Sequence, residues 1–184
     1  MPSLEGHLLI ASPDLLDPNF VRTVLLIVRH DEEGALGLVL NRPTKTTLKE
    51  ALHEVHDTPC LREDILCLGG PCQGSLMALH TQPLLMEIEV LPNVFFSANS
   101  DHLEQLIAES SGETRFFVGF SGWAPGQLES ELETGSWRTV AARPEHIFTS
   151  AHDSLWRTVS REIVSSTLLS ALKIKHVPHD PSMN

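Results

Sequence analysis

One stretch of the sequence, residues 116–137, constrains the fold more than any other. Residues 116–120 form an apolar run typical of a buried strand, and residues 121–126 are rich in glycine and contain a proline. Glycine permits positive φ, proline presets φ at a helix start, and Gly135 suits the left-handed residue that closes a helix. The stretch therefore predicts a strand, a tight turn, a short helix from Gln127 and a second strand from Trp137.

Length and charge limit the class of protein. A chain of 184 residues can form one domain with a sizeable core, so we expect a single domain over residues 1–184 with a mobile tail at about residues 176–184. The formal net charge is −11, from 13 Lys and Arg against 24 Asp and Glu. Such a surface repels phosphate backbones, and no run of Lys or Arg occurs, so nucleic-acid binding is disfavoured.

Cysteine usage and hydropathy indicate the compartment. Cys60, Cys67 and Cys72 are odd in number, and their spacing matches neither a redox C-x-x-C pair nor a zinc-ligand pattern. No charged-then-apolar leader precedes Gly6, and the longest apolar runs are only as long as strands. We therefore expect a cytoplasmic protein with reduced thiols, no membrane segment, no metal and no cofactor.

The order of predicted elements indicates an α+β fold. Residues 21–28 are nearly all β-branched or leucine, which predicts a strand buried on both faces, and residues 35–40 form its antiparallel partner. Thr47 and Glu50 form a capping-box pattern at the start of a helix. Further strands are predicted at residues 65–68, 76–80, 86–91 and 94–96, with helices opening at Asp101 and Asp153. Hairpins dominate, and no regular βαβ repeat with a phosphate loop occurs.

Several motifs in order along the chain resemble the YqgE/AlgH family of bacterial proteins. They are LEGHLLIASP at 4–13, DPNF at 17–20, GALGLVLNRP at 34–43, GGP at 69–71, His80, GW at 122–123 and PGQLESEL at 125–132. The match covers about residues 4–156, and the helical residues beyond Arg161 lie outside it.

This resemblance implies a single α+β domain with a mixed, mainly antiparallel, partly barrel-like sheet flanked by helices. It also implies a family without an established biochemical activity. Some members are labelled transcriptional regulators, although no recognisable DNA-binding motif accompanies the label.

The candidate binding residues lie at strand ends and glycine turns, where domains commonly place their sites. They are Asn41, Arg42, Gly69, Gly70, His80, Trp123, Gln127 and Glu131. The hypothesis is that these residues line one cleft of a non-enzymatic, regulatory domain that binds an unidentified small molecule or protein.

The individual roles within that hypothesis are open. Arg42 follows a buried strand and can either clamp a carboxylate or phosphate or form an internal ion pair with Glu129 or Glu131. The helix start at Gln127 offers free N–H groups to an anion, but the nearby glutamates oppose one. His80 can be a base or a hydrogen-bonded structural residue.

The sequence leaves two other function classes open. Cys72 stands between Gly70 and Gly74 as in a nucleophile elbow, and with His80 it would serve a cysteine-dependent hydrolase or transferase. The residues after Cys72 are typical of a strand, however, whereas an elbow requires a helix there. A transcriptional regulator that contacts DNA directly is the third class, and the net charge disfavours it.

Overall fold

The computed structural model describes residues 2–55, 60, 62–109 and 111–171. The tail expected at residues 176–184 lies outside these ranges. The strands of the described part are β1 (His7–Ala11), β2 (Val24–Asp31), β3 (Gly34–Val39), β4 (Pro43–Thr47), β5 (Ile65–Leu68), β6 (Cys72–His80), β7 (Ile88–Leu91), β8 (Val94–Ser97), β9 (Thr114–Trp123) and β10 (Trp137–Ala141). Its α-helices are α1 (Leu48–Val55), α2 (Ser100–Ala108), α3 (Gln127–Glu133), α4 (Pro144–Ile147) and α5 (His152–Ala171), and a single 3-10 turn spans Pro83–Leu85.

The strands form one mixed sheet, and the protein is a single α+β domain. The main path is β10-β1-β2-β3-β9-β6-β8-β7, with β4 paired to β5 and β5 paired to β9. Neighbouring strands are antiparallel except β5 and β9, which run parallel. The predicted class and the mainly antiparallel sheet are confirmed.

The sheet is coiled but not closed into a barrel. Val90 of the edge strand β7 packs in the same core cluster as Leu8 of β1 and Leu26 of β2. Gly6 makes this approach possible, since its φ is +72° and an added Cβ would lie 2.6 Å from the carbonyl oxygen of Val90. Strands β10 and β7 remain at the two ends of the hydrogen-bonded path, so the expected barrel-like character amounts to strong curvature.

Helices α5 and α3 cover opposite faces of the sheet. Leu8, Leu26 and alternate residues of β1 and β2 pack with Leu155 and Val159 of α5. Leu9 and Leu25, which point to the other face, pack with Leu128 of α3. The prediction that β2 is covered on both faces is therefore confirmed, and a third apolar cluster lies beneath α1 and α2.

Local signals account for the start of α1 and for both ends of α3. Thr47 and Glu50 form the predicted capping box, in which Thr47 N donates to Glu50 Oε2 at 2.8 Å and Glu50 N donates to Thr47 Oγ1 at 3.2 Å. Gly126 and Gly135, both with φ of +75°, bracket α3 as expected. Strand β4 was not predicted, because PTKTT lacks apolar alternation and is placed by its pairing with β5.

Within the described ranges, none of the helices has the length and apolar character needed to cross a membrane.

Candidate functional site

The structure distributes the candidate binding residues over separate surroundings. Trp123, Gln127 and Glu131 lie together on the face covered by α3. Asn41 and Arg42 line a cavity beside the first turns of α5, on the opposite face. Gly69, Gly70 and His80 are buried. The predicted residues therefore do not line one common cleft, because the sheet itself stands between two of the groups.

Glu131 is the centre of a hydrogen-bond network that ties α3 to the sheet. Its Oε2 accepts from the indole N–H of Trp123 at 2.9 Å and of Trp137 at 2.8 Å, while Gln127 Nε2 donates to Oε1 at 2.9 Å. Gln127 Oε1 in turn accepts from Ala124 N at 3.1 Å. The two indoles meet edge to face, with ring centroids 6.3 Å apart. Because three donors bind this one half-buried carboxylate, Glu131 has a structural role and fixes α3 to the sheet. We call this set of hydrogen bonds the latch between α3 and the sheet.

The buried glycines and His80 have packing roles. A Cβ on Gly69 would overlap the carbonyl of Gly119 in β9, so the residue permits close backbone approach. His80 is fully buried. Its Nδ1 accepts from Gln82 N at 3.2 Å, which leaves Nε2 to donate to Ser97 Oγ at 3.1 Å. Burial lowers the pKa of His80, and the imidazole is neutral near pH 7.

The predicted Cys72–His80 catalytic pair is wrong. The two residues are the first and last of the nine-residue strand β6. At about 3.3 Å per residue, their Cα atoms are separated by more than roughly 20 Å. The segment after Cys72 is strand, so the strand-turn-helix geometry of a nucleophile elbow is also missing at this position.

Arg42 is anchored to the preceding turn of the chain and not to α3. Its Nη2 donates to the carbonyl of Val21 at 2.6 Å and to Thr23 Oγ1 at 3.2 Å, and Nη1 donates to the carbonyl of Asn41 at 3.3 Å. The ion pair proposed between Arg42 and Glu129 or Glu131 is wrong, because α3 lies across the sheet.

Glu129 has a different partner. Its Oε1 lies 3.0 Å from Nε2 of the buried His30, whose Nδ1 accepts from Leu4 N at 3.1 Å. This imidazole ties the N-terminal segment and β2 to α3.

Asn41 organises the turn that precedes β2. Its side-chain Nδ2 donates to the carbonyl of Arg22 at 2.8 Å, and its Oδ1 accepts from Val24 N at 2.9 Å. Arg22 has a φ of +53°, a conformation that non-glycine residues rarely adopt. The amide of Asn41 therefore holds Arg22 in a left-handed conformation that is unfavourable for an arginine.

An arginine-lined cavity lies beside the first turns of α5. We call it the arginine pocket; it has a volume of about 170 Å³ and is lined by Arg22, Asn41, Arg42, His152, Asp153, Trp156 and Arg157. Within the described ranges, no carboxylate lies at salt-bridge distance from Arg22, Arg42 or Arg157. Of the other arginines in this part of the chain, Arg29, Arg62 and Arg143 are paired with acidic side chains, and Arg115, Arg138 and Arg161 are not.

His152 forms part of the pocket wall as a neutral imidazole. Burial, together with the nearby charge of Arg115, lowers the pKa of His152. Arg115 Nη2 lies 3.1 Å from His152 Nδ1 and donates to the carbonyl of Leu40 at 2.7 Å. His152 therefore adds a polar side chain to the pocket wall without adding positive charge.

Sequence reasoning found Asn41 and Arg42 but missed Arg22, His152 and Arg157. The signal available was the small number of basic residues, 13 Lys and Arg, in an acidic chain. It does not show that the turn before β2, the end of β3 and the first turns of α5 meet in space. In the described part of the chain, no cluster of three or more His, Cys, Asp or Glu side chains is arranged to hold a metal ion.

The fold and this cavity define a small single-domain α+β protein with an open, strongly coiled sheet and a concave cationic site. The AlgH-like family model, DUF179, matches residues 8–167, and the chain therefore belongs to the AlgH-like family. This confirms the resemblance noted from the motifs. The match also extends past Arg161, so the first part of the region thought to lie outside the family belongs to it.

Similar proteins come from several bacterial groups. A UPF0301 protein of Chlorobium chlorochromatii is 39% identical over 97% of this chain and 94% of its own length. A UPF0301 protein of Streptomyces avermitilis is 36% identical over 99% of this chain and 96% of its own length.

Solved structures support the same assignment. The solution structure of the AlgH protein from Pseudomonas aeruginosa matches with a TM-score of 0.75 and 33% identity, covering 98% of both chains. A crystal structure from Corynebacterium diphtheriae shares the fold, with a TM-score of 0.71 and 24% identity over 88% of both chains.

Proposed function

We propose that this protein binds a small anionic ligand in the arginine pocket and acts as a non-enzymatic, regulatory binding domain. The observation that carries the proposal is the convergence of Arg22, Arg42 and Arg157 on one cavity without an ion-pair partner among the described residues. In a chain with a net charge of −11, acidic side chains are abundant, and unpaired arginines that share a concavity are available to a ligand.

The pocket is built in advance of binding. Arg42 spends three of its N–H groups on Val21, Thr23 and Asn41, which fixes the guanidinium and leaves other N–H groups for a ligand. Asn41 fixes the backbone of Arg22 in the same way. A preorganised cationic site loses less conformational entropy on binding than one made of free surface side chains. The unusual φ of Arg22 is consistent with a position selected for its side chain.

The proposal favours a small anion over DNA. The arginines surround a cavity of about 170 Å³, which suits a phosphate or carboxylate group. Proteins recognise a DNA duplex with a protruding basic surface or with a helix in its groove. A small concavity in an acidic protein provides neither of these. We further propose a cytoplasmic location, since Cys60, Cys67 and Cys72 are all free thiols.

Calorimetric titration at constant ionic strength tests the proposal. The ligands are inorganic phosphate, sulfate and acetate, each added to the wild-type protein and to Arg157→Ala. The matched control is Arg161→Ala, which removes an exposed arginine one turn further along α5, outside the pocket lining. We expect saturable anion binding that weakens at least about tenfold in Arg157→Ala and is unchanged in Arg161→Ala, because one charged hydrogen bond contributes about 1.5–3 kcal/mol.

Two results would contradict the arginine pocket as a binding site. One is the absence of saturable binding for every anion at millimolar concentration. The other is an equal loss of affinity in the two variants, which would indicate nonspecific attraction to the surface.

A further inference from the structure

A second cavity shares the lining residue His152 with the arginine pocket. It has a volume of about 230 Å³ and is lined by Asp64, Ile65, Cys67, Thr114, Arg115, Phe148, Thr149, Ser150 and His152. His152 lines both cavities, so the two spaces adjoin at this residue. We call this second space the hydroxyl cavity, because Thr114, Thr149 and Ser150 all border it.

We infer that the ligand is the phosphate monoester of a small, hydroxyl-bearing molecule. Its phosphate would occupy the arginine pocket, and its uncharged polar part would occupy the hydroxyl cavity. This inference rests on the proposed function and adds to it the chemical class of the ligand.

The charge of the arginine pocket matches a phosphate monoester better than a carboxylate. Arg22, Arg42 and Arg157 each carry one positive charge, Asp153 carries one negative charge, and His152 is neutral. The lining therefore has a net charge of about +2, and a phosphate monoester carries about −1.5 to −2 at pH 7. A carboxylate carries about −1 and would leave one cation uncompensated.

The hydroxyl cavity suits an uncharged polar group. Thr114 Oγ1 is buried and has no hydrogen-bond partner among the described residues, although a buried hydroxyl is normally paired. Asp64, held by Arg62 at 2.7 Å, borders the same cavity and disfavours a second phosphate there.

Arg115 lines the hydroxyl cavity together with the oppositely charged Asp64, and its contacts to the chain fix its position. Its Nη1 donates to the carbonyl of Ile147 at 2.6 Å, and its Nη2 donates to the carbonyl of Leu40 at 2.7 Å. The same Nη2 group contacts His152 Nδ1 at 3.1 Å. The guanidinium thus fixes the position of the imidazole that borders both cavities.

The test compares inorganic phosphate, ribose 5-phosphate and ribose by calorimetric titration of the full chain. We expect ribose 5-phosphate to bind at least about tenfold more tightly than inorganic phosphate, since added polar contacts are made only by the sugar. Ribose alone is expected to bind too weakly to saturate at millimolar concentration.

Variants assign the sugar contact to the hydroxyl cavity. Thr114→Val is expected to lower the affinity for ribose 5-phosphate about tenfold while leaving that for inorganic phosphate unchanged, because only the sugar reaches this wall. Its folding is not at risk, since an unpaired hydroxyl is replaced by a methyl group. Ser150→Ala should act in the same direction, and Thr158→Val, on α5 outside both cavities, should change neither affinity.

The outcomes separate this inference from the proposed function. Saturable phosphate binding with no gain for ribose 5-phosphate, or no effect of Thr114→Val and Ser150→Ala, would overturn the ligand class and leave the arginine pocket intact. Binding of none of the three compounds would overturn both.

Discussion

The side-chain amide of Asn41 donates to the backbone carbonyl of Arg22 over 2.8 Å and so holds an arginine at a φ of +53°. The same amide accepts from Val24 N, so Asn41 pairs the backbone on both sides of Thr23. A residue that follows β3 thereby fixes the entry to β2 and the position of a pocket arginine. This hydrogen bond therefore contributes both to the stability of the fold and to the proposed binding function.

Replacing Asn41 with alanine should weaken both the fold and the pocket. The change removes two hydrogen bonds, one of them fully buried, and leaves the Val24 N–H and the Arg22 carbonyl without partners. We expect a loss of about 2–4 kcal/mol in the free energy of unfolding, measured by urea denaturation. Asn19→Ala, at an exposed position in the preceding turn, is the control and should change stability by less than about 0.5 kcal/mol. Equal effects of the two variants on stability would contradict the role of the Asn41 amide in holding the backbone of Arg22 and Val24.

Arg22→Gly should separate stability from binding. Glycine adopts positive φ without the steric cost that arginine incurs, so the variant should be as stable as the wild type or more stable by up to about 1 kcal/mol. Its affinity for phosphate should nevertheless fall, because one of the three pocket cations is gone. The measurements are urea denaturation and calorimetric titration on the same sample. A variant that loses stability and keeps its affinity would show that the arginine serves the fold alone.

Glu131→Gln should disrupt the latch between α3 and the sheet. The carboxylate accepts from two indoles and from Gln127, and an amide in its place would turn an N–H₂ group toward at least one of these donors. We expect a destabilisation of about 1–3 kcal/mol and a change in tryptophan fluorescence. Glu133→Gln, exposed on the same helix, is the matched control. A variant as stable as this control would exclude the latch.

Stability should fall as the pH is lowered through the ordinary range of histidine. Burial lowers the pKa of His80, His146 and His152 in the folded protein, so the unfolded chain binds more protons between the folded and unfolded values. Their contribution is complete above about pH 6.5 and is lost progressively below it, toward the lowered folded values. Urea denaturation between about pH 7.5 and pH 5 measures the effect.

The carboxylate of Glu50 affects stability over a lower range of pH. The hydrogen bond from Thr47 N lowers the pKa of Glu50, so the contribution of Glu50 to stability is lost only below about pH 4.3.

For the histidines, titration of the His80 ring protons by NMR provides the control. A His80 pKa at or above the ordinary value would contradict the prediction that burial of neutral histidines stabilises the fold.

Much of the fold follows from local sequence signals. The continuous apolar run of β2 indicates a strand covered on both faces, and the capping box at Thr47 marks the start of α1. The glycines that bracket α3 both adopt the positive φ predicted for them. Each of these features depends on a residue and its near neighbours, which is why a single sequence predicts them. Strand β4 escapes such reasoning, because it is defined by pairing with β5 and not by its own composition.

For the candidate site too, some features follow from local sequence and others depend on the tertiary structure. The sequence by itself determined the α+β class, the family motifs and the choice of Asn41 and Arg42 as residues at the end of a buried strand. Only the tertiary structure decided that Arg42 joins Arg22 and Arg157 around a cavity, while Glu131 is bound by two indoles across the sheet. The physical reason is that helical and strand periodicity are local, whereas the face of the sheet on which a helix packs depends on how distant apolar surfaces are buried together.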